Sequence, residues 1–172
     1  MNLEYKEYSF QLHNIRVAKT NIENTFSRYK KSQEGEKLLE RKSKGDESYT
    51  QSLNPYGDRF FCKFSIDADV SVLQKRGIYC FVINGSVKYI GRCLDNFKKR
   101  FGGNGYGGIS PKNCYKGGQS TNCHINSCIN EHYNSQDTIQ VGFHFIEDRD
   151  SIISIEKYLI SDETPDWNIK TK

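Results

Sequence analysis

The sequence predicts an α+β fold, a small sheet with helices packed against it. Two β-prone runs, "IYCFVI" and "SVKYIG", flank Asn84-Gly85. Asn-Gly is the preferred two-residue hairpin turn because both positions need positive φ. "TIQVGFHFIED" alternates Ile139, Val141, Phe143 and Phe145, the period of a half-buried strand. Apolar residues at Ile125, Ile129 and Tyr133 recur at helical spacing.

The remaining elements follow in chain order. Within residues 1–60, Ile22, Phe26 and Tyr29 fall at i, i+4 and i+7, which predicts a helix. Leu38 and Leu39 predict a second short one, so this extension reads as helical. Lys42 to Asp58 reads as a loop or linker broken by Gly45, Pro55 and Gly57. "RFFCKFSID" from Arg59 is a candidate strand; residues 1–60 are expected to contact DNA or pair two subunits, and residues 61–172 to form a separate domain. In "LDNFKKRFGG", Asp95 is placed to cap a short helix that Gly102 or Gly103 ends. A Gly-rich loop follows, then the helix of "STNCHINSCINEHY" capped at Ser120 or Thr121. "SIISIEKYLISDE" is the last helix, and Pro165 stops it.

Composition narrows the setting. The 172 residues are 35% hydrophobic and 27% charged, polar for a globular chain but not disordered. No apolar run approaches the roughly 20 residues that span a bilayer. The N-terminal stretch lacks the basic end and apolar core of a signal peptide. A cytoplasmic protein with no membrane partner is expected, its six cysteines free thiols. Cys114, Cys123, His124 and Cys128 also have the chemistry of a zinc site. The net charge is +4, and residues 77–136 hold seven Lys/Arg against Asp95 and Glu131. Such a basic middle fits a polyanion or a solvated charged face.

Several residues carry candidate chemistry. A simple two-residue hairpin sets Tyr79 opposite Ile90, with Lys88 diagonal to it, and Tyr89 on the other face. An ammonium beside a phenol favours phenolate, so Tyr79 next to Lys88 reads as a base or as a tyrosine covering the sheet. Arg100 lies between Phe97 and Phe101, and reads as a phosphate ligand, which its planar fork suits, or as a surface cation. Glu156 shares a helix face with Ile152, Leu159 and Ile160. A carboxylate there needs a partner, either a Lys or Arg or a divalent cation.

These elements together resemble the GIY-YIG nuclease superfamily. "GIY" stands at Gly77-Ile78-Tyr79 and "YIG" at Tyr89-Ile90-Gly91. "DNFKKRF" puts Arg100 in the place of the family arginine, and "EKYLISDETPDWN" holds Glu156, Pro165, Trp167 and Asn168. The resemblance covers residues 77–169. It implies a central three-stranded antiparallel sheet flanked by helices and metal-dependent hydrolysis of DNA. Tyr79 would be the general base or position the water, and Tyr89 would line the same pocket. Arg100 would hold the scissile phosphate, Glu156 would bind Mg²⁺ (or Mn²⁺), and Asn168 would brace the site. Tyr106 is the nearest match to a His or Tyr that restriction-type members carry after the arginine.

"GYGGISPKNCYKGGQSTNCHIN" looks like small restriction-type members. The expected activity is site-specific cleavage of double-stranded DNA by a homodimer. Arg92, Lys98, Lys99, Lys112, Lys116 and His124 are the expected DNA contacts. A nicking or structure-specific nuclease is the alternative, as is a DNA- or zinc-binding module without catalysis.

Overall fold

The structure is a computed structural model that describes residues 1–23 and 33–169. Its strands are β1 (Asn2–Tyr5), β2 (Tyr8–Ile22), β3 (Phe61–Ile66), β4 (Gly77–Ile83), β5 (Ser86–Cys93) and β6 (Ile139–Phe145). Its α-helices are α1 (Gln33–Ser43), α2 (Val70–Leu73), α3 (Phe97–Phe101), α4 (Ser120–Asn134) and α5 (Arg149–Leu159). The sheet order is β1-β2-β6-β4-β5, with β3 paired to β2. The pairs β1/β2, β2/β6, β4/β6 and β4/β5 are antiparallel.

This mixed α and β architecture matches the expected class, with two corrections. The sheet has six strands, not three. The N-terminal extension is not helical at its start, because residues 2–22 form β1 and β2. Phe10 and Leu12 of β2 alternate onto the apolar core, and β2 gains its ladder by pairing with distant β6. Ile22 closes β2, while Phe26 and Tyr29 lie outside the described residues. The second expected helix is present as α1.

The chain forms two compact units. The first comprises Met1–Arg16, Ser65–Gly102 and His132–Lys172, the second Val17–Phe64 and Gly103–Glu131. In the first, all seven residues of β4 are buried, as expected of a continuous apolar strand with both faces covered. Ile78, Cys80 and Val82 pack with Phe10, Ile90 and the α5 residues Ile152 and Leu159. Tyr79 and Phe81 look to the other face, toward Phe101, and Phe97 stacks on Phe143 with centroids 4.2 Å apart. Burying each such ring contributes about 1.5–3 kcal/mol. Helix α3 is capped by Asn96, whose side chain accepts from the Lys99 amide. Asp95 instead pairs with the Lys99 ammonium at 2.7 Å.

The second unit contains two small apolar clusters among its buried residues. Leu38 and Leu53 form one, and Phe61, Cys114 and Cys123 form the other. Buried Asn126 joins α4 to β3: it accepts from the Cys62 amide at 2.8 Å and donates to its carbonyl at 2.9 Å.

Candidate active site

The hairpin turn forms as the Asn-Gly pair predicts, with φ of 49° at Asn84 and 80° at Gly85. The register differs. Tyr79 pairs with Gly91 and Phe81 with Tyr89, but Val82 pairs with Val87, so a bulge falls at Lys88. The extra residue shifts β5 by one, and the position diagonal to Tyr79 belongs to Tyr89 rather than Lys88. Both tyrosines therefore share a face, with ring centroids 6.0 Å apart. Lys88 turns to Asp166 at 2.7 Å, so the expected Tyr79–Lys88 neighbourhood is replaced by an ion pair.

The motif glycines make this close packing possible. A methyl group on Gly91 would lie 2.5 Å from the Tyr79 hydroxyl oxygen and 2.7 Å from the Tyr89 ring. One on Gly77 would lie 2.0 Å from the His144 carbonyl oxygen, at a backbone φ of +145°. Tyr79 thus lays its phenol across the bare Cα of Gly91. It is fully buried, with 0% exposure, while Tyr89 is half-buried.

Arg100 of α3 continues the group. Its guanidinium lies 5.9 Å from the centroid of the Tyr79 ring, within cation–π range. It also donates to the Arg92 carbonyl at 3.3 Å. Arg92 in turn donates to Glu156 of α5 at 2.6 Å. The Glu156 side chain is only 17% exposed against 43% for Arg92. Burial pushes the Glu156 carboxyl above its ordinary range, opposed by the charge and hydrogen bond of Arg92 and by the charge of Arg100. Of the two partners open for Glu156 on sequence, the structure supplies the arginine. Helical spacing could not name Arg92, because the pair joins elements far apart in the chain.

Behind the group, Asn168 hydrogen-bonds both backbone groups of Ile90, and the Trp167 amide donates to the Lys88 carbonyl at 2.8 Å. The segment after α5 is thereby fastened to β5.

Lys98 and Lys99 are exposed on α3. Tyr106, Lys112, Lys116 and His124 belong to the second unit. There Tyr106 is fully buried, and its carbonyl accepts from Asn126 at 2.7 Å. Lys112 and Lys116 are exposed, and His124 lies tilted against Tyr56 with ring centroids 4.4 Å apart. The zinc grouping is not assembled. Cys123 lies 3.9 Å from Cys114 and Cys128 lies 3.7 Å from His124, as two separate pairs. Among the described residues, no three His, Cys, Asp or Glu side chains gather as a metal cluster. Among the described residues, the second unit holds nine basic and eight acidic residues and the first eleven and thirteen.

A single carboxylate is a poor site for a metal that needs an all-protein cage, but it suits Mg²⁺, which keeps most of its waters and takes phosphate oxygens. Glu156 is a single sheltered carboxylate, paired with Arg92. Among the described residues, no helix is long and apolar enough to cross a membrane. No protein-family model, no curated protein and no solved structure matches the chain.

Proposed function

We propose that the chain is a divalent-cation-dependent endonuclease of the GIY-YIG kind, cutting both strands of DNA at a specific site as a homodimer. The observation that carries this reading is the continuous group Tyr89–Tyr79–Arg100–Arg92–Glu156 within one compact unit. Phosphodiester hydrolysis needs an oriented water and positive charge where negative charge develops on the phosphate. The tyrosine pair supplies hydroxyls for the water. Tyr89 is the more open of the two. The Arg100 fork takes two phosphate oxygens. Glu156 would hold Mg²⁺ or Mn²⁺, which when bound supplies Lewis-acid stabilisation of the phosphate. Asn168 keeps β5 in place beneath these groups. The exposed Lys112 and Lys116 of the second unit, and Lys98 and Lys99 of the first, support a polyanion partner.

Purified protein is incubated with supercoiled plasmid and Mg²⁺, and the product ends are mapped. Discrete fragments with fixed ends are the expected result. Nicked circles or random ends replace the restriction reading with a nicking or structure-specific nuclease. Intact plasmid, bound but uncut, leaves a DNA-binding module.

A further inference from the structure

We infer that Arg92 is the resident counter-ion of Glu156 and that an arriving divalent cation displaces it, freeing the guanidinium for a DNA phosphate. This rests on the nuclease reading of the same group. The two partners of the ion pair are unequal. Glu156 is sheltered on α5, while Arg92 stands on edge strand β5 with 43% of its side chain exposed. The carboxylate cannot easily leave, but the arginine can swing into solvent at little desolvation cost.

Charge gives the reason to swing. Glu156 already feels Arg92 and Arg100. A divalent ion on the same carboxylate would face two guanidinium groups across one negative charge. Releasing Arg92 removes the closer repulsion and vacates Oε2, the atom it now holds at 2.6 Å. The destination is near, because Arg100, the proposed phosphate clamp, is hydrogen-bonded to Arg92's own carbonyl at 3.3 Å. A guanidinium fork donates to carboxylate or phosphate oxygens with the same geometry, so one side chain serves both.

The test uses full-length protein without DNA at pH 8, with Mn²⁺ as the probe and free Mn²⁺ counted by electron paramagnetic resonance. Arg92→Met should bind Mn²⁺ at least five-fold tighter than the parent. Arg92→Lys, which keeps the charge, should stay within about two-fold of it, and Glu156→Gln should abolish the site. On a short duplex, Mn²⁺ should raise DNA affinity more for the parent than for Arg92→Met. Equal or weaker Mn²⁺ binding by Arg92→Met overturns the exchange, as does the absence of any Glu156-dependent Mn²⁺ binding. Arg92→Gln repeats the comparison if the Met variant does not fold. Plasmid cleavage separates the two readings. A chain that cuts no DNA but shows tighter Mn²⁺ binding in Arg92→Met loses the nuclease function and keeps the exchange. A nuclease whose Arg92→Met variant binds Mn²⁺ no tighter keeps the function and loses the exchange.

Discussion

The side-chain amide of Asn168 lies against the backbone of Ile90, accepting from its N–H at 2.8 Å and donating to its C=O at 2.7 Å. The amide acts as one rung of a strand along the open edge of β5. It satisfies two backbone groups of an edge strand, and with Trp167 on Lys88 it denies that edge to other chains. It also fixes the return of the chain after α5, the helix that bears Glu156. Asn168→Ala is expected to lose about 1–3 kcal/mol in urea unfolding, from two hydrogen bonds of about 0.5–1.5 kcal/mol each. Asn168→Asp should cost at least as much, because its carboxylate meets the Ile90 carbonyl. If both variants melt with the parent, the bracing role is removed.

The shared face of the tyrosines makes their separate substitution informative. Tyr79→Phe and Tyr89→Phe should each fold normally, since the rings carry the packing. The variant that loses the water-activating hydroxyl should cut DNA about 10² to 10⁴ times more slowly. If that variant is Tyr89→Phe while Tyr79→Phe stays active, the half-buried phenol is the base and the buried one is a packing residue.

Gly91→Ala tests the close approach. Its methyl group would meet the Tyr79 hydroxyl 2.5 Å away in a fully enclosed space. A loss of about 1–3 kcal/mol in thermal or urea unfolding is expected, as for other overpacked sites. Gly85→Ala, where no atom lies within 4 Å of the added methyl, should cost only the strain of a positive φ, about 1 kcal/mol. Equal losses at the two positions would contradict the packing described for Gly91.

Glu156→Gln should leave DNA binding intact and slow cleavage by about 10²-fold or more. Its stability should remain within about 1 kcal/mol of the parent, because the partner left behind, Arg92, can reach solvent. The pH dependence has a definite sign. Burial raises the folded-state pKa of Glu156 above its unfolded value, so its contribution is most favourable at low pH and declines as pH rises through the folded value. The glutamine variant lacks this decline. Its stability relative to the parent should therefore increase from pH 4 upward, as read from urea midpoints.

Asp137 should behave in the opposite sense. The His132 ring, then the Asn84 amide, hold its carboxyl below the usual carboxylate range, each at 2.7 Å. Its stabilisation is present above the unfolded carboxylate pKa and lost as pH falls through the folded value. Asp137→Asn should flatten the acid limb of the unfolding midpoint against pH, and an unchanged limb would exclude this contribution.

Local chemistry in the sequence determined the β4–β5 hairpin, the strand character of β6 and the helices α1, α4 and α5. Turn residues, period-2 alternation and helical spacing act over a few neighbouring positions, so they are visible without a fold. Tyr79, Tyr89, Arg100, Glu156 and Asn168 were grouped by short motifs that resemble a known family, not by turn chemistry or periodicity. Tertiary structure alone decided that the two tyrosines share a face. That rests on a single bulged residue, Lys88, held by Asp166 and the Trp167 amide from the far end of the chain. It also decided that residues 2–22 are strands, since β2 is completed by its pairing with β6. The partner of Glu156 belongs to the same class. A sheltered carboxylate announces that it needs a cation, but Arg92 is chosen only when β5 and α5 meet.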